Sequence, residues 1–273
     1  MSGFNPADNR PSGSDDDASP SFRLSLLGVP IIERWAPAGY EELSWSLQRA
    51  LKILGFLASS PDQRAPRDEI IEVLWPNADA EVIRRNFHPT VSVLRRTLKP
   101  GGRSWGSVIR LKQGVYSLDE SCHWEIDTVR FEEEIDNGQQ SRQANRLRRA
   151  AGYWRAAWSL YRGVFFRGHD DPWVLTHRDR LQWRYLELLG NLGDLLCELS
   201  EWTLAEDCYR SLLLEDPLQE SVYVSLMGVY AARGRKDLVQ RQYERMSNLL
   251  RRDLGVEPST ATMAAYNQLL LAN

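Results

Sequence analysis

The sequence predicts a mainly α fold with a small β component, divided into a mixed N-terminal domain and an all-α repeat domain. Three observations carry this expectation. From Asp79 to Lys99 one amphipathic helix joins an apolar face to a cationic one. Short strand-like runs stand before and after it, the last of them a basic hairpin. From His123 onward everything reads as helix, with a repeat every 34 residues. For a chain of 273 residues, two domains is the ordinary expectation.

Charge and cysteine usage narrow the class. The net charge of −3 excludes a uniformly polybasic nucleic-acid binder. The charge is unevenly placed, however. From Asp79 to Lys112, eight Lys or Arg residues (84, 85, 95, 96, 99, 103, 110 and 112) face only Asp79 and Glu81, a local net of +6. Such a patch is the electrostatic footprint of a nucleic-acid binder, to which the global charge is a poor guide. Cys122, Cys197 and Cys208 form no CxxC pair, which suits a reducing, cytoplasmic setting with all three as buried small side chains. No apolar run approaches the roughly 18 residues of a membrane span, so no membrane partner is expected. The N-terminus has no apolar stretch of the kind a secretory signal carries.

Taken in order, the chain opens on a tail. Residues 1–21 are rich in Ser, Asp, Pro and Gly, with too little to bury to offset the entropy of ordering, and are expected to be disordered. The first folded domain is expected over 22–120. Phe22, Leu24 and Leu26 alternate, Gly28-Val29-Pro30 breaks the run, and Ile31-Ile32 resumes it, which predicts two short antiparallel strands. Trp45–Ala58 carries Leu47, Ala50, Leu51, Leu54 and Leu57 at helical spacing. A second helix is expected over Arg67–Leu74, stopped by Trp75-Pro76, with Pro76-Asn77-Ala78-Asp79 as a short loop.

The next helix is the amphipathic one. At 100° per residue, Ile83, Phe87, Val91, Leu94 and Leu98 share one face. Arg85, His88, Ser92, Arg95, Arg96 and Lys99 share another, with Arg84 at its edge. Arginines fork onto phosphates or guanine edges, and Ser92 and His88 can reach bases, so this face suits a DNA major groove. An ordinary solvated helix face would carry similar charges, and the basic hairpin downstream of the helix decides between the two. Pro89 removes a backbone hydrogen bond, which predicts a kink or a two-part helix whose groove-entering portion starts near Asn86. Pro100-Gly101-Gly102 ends the helix. Val108–Lys112 and Val115–Leu118 then form a hairpin through Gln113-Gly114, with Arg110 and Lys112 near its tip. Strands, three helices and a basic hairpin are the order of a winged helix. The hairpin is the wing, placed to touch phosphates or the minor groove beside the recognition helix.

The second domain is expected over 121–273. Leu192 pairs with Leu226, Leu196 with Tyr230, Ala205 with Val239, and Tyr209 with Tyr243. Leu189, Leu192, Gly193, Leu196, Ala205, Tyr209 and Pro217 fall where tetratricopeptide-like repeats place large, large, small, large, small, aromatic and Pro. The second unit is degenerate, with Val239 at a small position. About 127–137 and 142–160 form an earlier helix pair, and Thr260–Leu271 a capping helix. Between Arg162 and Arg178 lies a long apolar loop expected to pack against something. The chain holds no GxxxxGK[ST], GxGxxG or GxSxG. His169, Asp170, Asp171 and His177 match no metal-ligand spacing and read as a polar loop. No catalytic constellation and no cofactor is expected, and the chain does not read as an enzyme.

Several segments are similar to one family. Leu74-Trp75-Pro76, Ile83-Arg84-Arg85-Asn86-Phe87 and Leu94-Arg95-Arg96-Thr97-Leu98 resemble its Leu-Trp-Pro, Ala-Arg-Arg-Asn-Leu and Leu-Arg-Arg-Ala-Leu segments. Asp127 to Glu132 resembles its Asp-x-x-x-Phe-Glu entry, and Leu160-Tyr161-Arg162-Gly163 with Trp173 its Leu-Tyr-x-Gly…Trp loop. Gln242-Tyr243-Glu244 and Leu254-Gly255-Val256-Glu257-Pro258-Ser259 complete the set. In this order, from Phe22 to Leu271, they resemble the SARP-type bacterial transcriptional activators, an OmpR-like winged helix followed by a bacterial transcriptional activator domain. The departures are a loose match over Glu33–Ser44, and Pro89 and Val93 where the family is more often polar. The resemblance implies binding to double-stranded promoter DNA, often at direct repeats on which copies associate, and recruitment of RNA polymerase. The DNA-contacting set is then Arg84, Arg85, His88, Ser92, Arg95, Arg96, Lys99, Arg110 and Lys112. The loop before the recognition helix would present Asn77 and Asp79 to polymerase, with Trp75 as its inward anchor. Larger relatives append an ATPase domain, and no phosphate-binding loop for one is present here. A helical-repeat adaptor whose winged helix no longer reads DNA is the second reading.

Overall fold

The computed structural model describes residues 20–99 and 107–271. Residues 1–19 of the expected disordered tail 1–21, and the expected stop at Pro100-Gly101-Gly102, lie outside the described residues; the end of that tail is corrected, because Ser21 is buried and pairs as the first residue of β1. In chain order the elements are β1 (Ser21–Ser25), β2 (Ile31–Ala36), β3 (Gly39–Glu42), α1 (Gln48–Ser59), β4 (Arg64–Pro66), α2 (Arg67–Leu74) and α3 (Ala80–Thr97). There follow β5 (Ile109–Lys112), β6 (Val115–Leu118), β7 (His123–Ile126), α4 (Asp127–Gln143) and α5 (Leu147–Leu160). The chain then runs through α6 (Pro172–Glu198), α7 (Trp202–Glu215), α8 (Glu220–Ala232), α9 (Lys236–Leu254) and α10 (Thr260–Leu271). Two compact units result, and they do not follow one cut of the chain. The first reaches to Arg130 and takes in Arg162–Asp179; the second comprises Phe131–Tyr161 and Arg180–Asn273.

The first unit holds two sheets. One has the order β3-β2-β1-β7, with β1 antiparallel to β2 and parallel to β7. The alternation of Phe22 and Leu24 puts both side chains in the core, where Phe22 stacks on Trp124 at 4.5 Å. Two features depart from expectation. Strand β3 extends the sheet beyond the expected pair, and β7 corrects the reading of everything after His123 as helix. Strand β7 is four residues long and pairs with a strand a hundred residues earlier, so no local pattern announces it. Asp127 follows at once and accepts hydrogen bonds from the Leu26 and Leu27 amides at 2.8 and 2.9 Å. Burial outweighs those donors and pushes its carboxyl up to about 6.

The winged-helix part is α1, α2 and α3 against the sheet β4-β6-β5. Phe87, Val91, Leu94 and Leu98 are buried as the helical period requires. Phe87 meets the rings of Trp75 and Tyr116 at 5.9 and 5.6 Å. Of the two expectations at Pro89, the two-part helix is corrected: α3 is one helix with Pro89 inside it. The carbonyl that loses its partner belongs to Arg85, which like Pro89 is exposed, so water can serve it. Thr90 Oγ1 donates to the Asn86 carbonyl at 2.7 Å, adding a side-chain bond in that turn.

The expected long loop over Arg162–Arg178 is also corrected. Helix α6 begins at Pro172, because proline suits a first helical turn where no N–H is needed. The remaining loop folds onto Leu26, Leu27 and Gly28, just after β1. Phe165 and Phe166 are fully buried, and the Phe166 amide donates to the Leu26 carbonyl at 2.8 Å. Asp170 pairs with Arg178 and Asp171 with Lys52, at 2.9 and 2.8 Å. In the second unit the helices pair as the repeat predicts. A Cβ on Gly193 would lie 2.7 Å from the Tyr209 ring, so the small-aromatic pair sets how closely α6 and α7 approach. Among the described residues no helix is long and apolar enough to cross a membrane.

Candidate nucleic-acid interface

Helix α3 separates its residues by physics before any partner is considered. Its apolar stripe is spent on the core, so the opposite face must meet solvent. Arg84, Arg85, His88, Ser92, Arg96 and Lys99 are all exposed. Among the described residues, the side chains of Arg84, Arg85, Arg96 and Lys99 form no ion pair or hydrogen bond. Their charges are therefore uncompensated. The helix C-terminus is held from outside its own sequence: the Arg34 guanidinium donates to the Lys99 carbonyl and also pairs with Glu41. Arg34 lies 65 residues away in the chain, and nothing in the sequence marks this role.

Arg95 behaves differently from its neighbours. It is half-buried, and its guanidinium donates to the Ile109 carbonyl through Nε at 3.2 Å and a terminal nitrogen at 3.1 Å. It also lies 6.0 Å from the centre of the Tyr116 ring. Arg95 thus fastens the recognition helix to strand β5, instead of standing on the outward face with Arg85 and Arg96. Helical period alone puts it on the cationic face, and tertiary contact turns it inward.

The wing is β5 and β6 joined at Gln113-Gly114. Both turn residues have positive φ, 51° and 81°, the geometry that matches the twist of a two-residue hairpin. The Gly114 carbonyl accepts the Arg67 amide at 2.8 Å, which ties the turn to the start of α2. Arg110 and Lys112 are two residues apart and share one side of β5. Lys112 is exposed and, among the described residues, carries no ion pair. Arg110 is exposed but bridges to Asp119 at 2.8 Å. Burial works against the Asp119 carboxylate, yet hydrogen bonds from Ser121 and Arg110 hold it below the usual range.

The loop from α2 to α3 sits at the other end of the helix. Trp75 is 4% exposed, with the Arg49 guanidinium 5.4 Å from its ring. Pro76, Asn77 and Asp79 are exposed, and Asn77 has a left-handed backbone with φ of 61°. Asp79 occupies the position before the first turn of α3 without a side-chain capping bond. A groove of about 540 Å³ between α2 and the start of α3 is lined by Arg67, Ile71, Glu72, Trp75, Ile83 and Arg84. The arrangement offers uncompensated cations on one rigid helix, a fastened basic hairpin beside it, and no cluster of metal ligands among the described residues.

The family described as bacterial transcriptional activator domain matches residues 126–270. The transcriptional regulatory protein MoaR1 of Mycobacterium tuberculosis is 22% identical over 236 residues, which is 82% of this chain and 71% of that protein. The transcriptional regulatory protein EmbR of Mycobacterium tuberculosis is 25% identical over 266 residues, 92% of this chain and 61% of that protein. A solved structure of Mycobacterium tuberculosis EmbR, in complex with a low-affinity phosphopeptide, superposes with a TM-score of 0.73 at 21% identity. It covers 91% of this chain and 65% of that one, so the fold is shared and the relative extends beyond it.

Proposed function

The chain belongs to the bacterial transcriptional activator domain family, and from that premise we propose that it is a sequence-specific, double-stranded DNA-binding transcriptional activator acting in the cytoplasm. Helix α3 enters the major groove. Arg85, in its N-terminal half, and His88 and Ser92, in its middle turns, meet base edges, and Arg84, Arg96 and Lys99 meet phosphates. Arg110 and Lys112 anchor the wing on the flanking backbone. Arg95 supports this set by positioning the wing. Asn77 and Asp79 emerge beside the DNA and meet RNA polymerase there, and copies associate on direct repeats.

The observation that carries the reading is the uncompensated cationic face of α3 opposite an apolar face that is buried at Phe87, Val91, Leu94 and Leu98 and only partly buried at Ile83. A solvated face with no partner gains from acidic residues placed among its cations, and here the cations stand unpaired. The test is affinity for promoter DNA across salt concentrations. With about five phosphate contacts, log affinity falls against log salt with a slope of about −4 to −5. Salt-independent affinity, or none, defeats the reading and leaves the helical-repeat adaptor.

A further inference from the structure

The second unit carries a groove of about 580 Å³ that the DNA-binding reading does not use. Helices α6, α7 and α8 wall it. Trp183 stands on its rim, 62% exposed, a large ring that solvent alone does not favour. Glu187, Asp194 and Asp216 line the same groove, and no Lys or Arg lines it. The groups that touch these carboxylates leave most of the charge in place. Asp194 accepts the Tyr209 hydroxyl at 2.6 Å, and Asp216 accepts the Leu218 amide at 3.2 Å. Glu187 has Arg184 at 3.7 Å, but that guanidinium lies closer to Asp136, at 2.5 Å. Gly190 keeps the groove open, and the exposed Asn191 offers both a donor and an acceptor to a peptide backbone.

We propose that this groove binds an extended peptide segment of a partner protein, with Lys or Arg side chains flanking an apolar one. The apolar side chain packs on Trp183, and the cations face Glu187, Asp194 and Asp216. Charge chooses this occupant. Nucleic acid is repelled by the carboxylates, and so is this chain's own N-terminal segment, with Asp8, Asp15, Asp16 and Asp17 against Arg10.

The test uses the full chain and two labelled, end-capped octapeptides of leucine and serine, one carrying three arginines and the other three glutamates in their place. Fluorescence anisotropy at low salt is expected to detect the arginine peptide only. The triple variant Glu187→Gln, Asp194→Asn and Asp216→Asn removes the charges, keeps one acceptor oxygen at each position and should weaken that binding about tenfold or more. Trp183→Ala should weaken it about fivefold. Glu187→Lys, a single change at an exposed position, keeps the question answerable if the triple variant melts early. Equal binding of both peptides, no binding of either, or unchanged affinity in folded variants overturns the inference. Promoter DNA affinity is measured on the same samples, so failure here is distinct from failure of the activator reading.

Discussion

The guanidinium of Arg95 donates twice to the carbonyl of Ile109, joining the recognition helix to the first strand of the wing. The two surfaces that the proposed function brings to DNA are thereby fixed to each other by one side chain. Arg95→Leu should therefore act on stability before it acts on binding. Losing hydrogen bonds from a charged donor to the carbonyl of the buried Ile109 should lower the unfolding free energy by about 1.5–3 kcal/mol. Urea unfolding measures this, and anisotropy on the folded fraction should show a weakening shared by all DNA sequences. Loss of preference among sites would mean that Arg95 reads bases.

Arg85 and Lys112 should separate reading from anchoring. Arg85→Ala should cost about 1–3 kcal/mol on the preferred site and relax the preference there. Lys112→Ala should weaken every sequence alike and reduce the salt slope by about one. Competition binding with matched and scrambled duplexes distinguishes them, and identical behaviour would dissolve the division.

The loop before α3 should tolerate changes at its tip and none at its anchor. The left-handed backbone of Asn77 makes alanine there a strained choice, so Asn77→Gly with Asp79→Ala is the cleaner variant. It should keep promoter affinity and lose transcription in a purified polymerase system. Trp75→Ala should destabilise the domain by about 3–5 kcal/mol, since the ring is buried against Phe87. If the tip variant transcribes normally, polymerase is met elsewhere.

Asp119 should make the wing acid-sensitive. Its carboxyl lies lower in the folded protein than the ordinary value of 3.8. The stability it contributes is thus fully present above about pH 5, and is lost as pH falls through 3.8 toward the folded value. Asp119→Asn should be less stable than the parent at pH 7, and the gap should close below pH 3.8. The same variant releases Arg110, so DNA affinity at low salt should rise. A gap constant with pH would assign the effect to packing.

The apolar stripe of α3, the repeat from Leu192 to Tyr243 and the Gln113-Gly114 turn were legible because each is a local rule. Helical period, repeat period and positive-φ turn chemistry act over a few residues, and the chain obeys them wherever it is read. The exposed cations Arg84, Arg85, Arg96 and Lys99 came from the same period, since a helix with one buried face presents the other.

What the sequence by itself determined is which residues lie inward or outward along each element. Tertiary structure decided which outward groups are still free. Arg95 and Arg110 look like Arg96 in the sequence, yet one is taken by the Ile109 carbonyl and the other by Asp119. The pairing of β7 with β1, and the capping of α3 by Arg34, join residues tens of positions apart. Pro89 stays within one helix because its missing bond falls on the solvent side. The physical reason is common to all of them: propensity and period are summed along the chain, whereas a hydrogen-bond acceptor or an apolar neighbour is supplied across space.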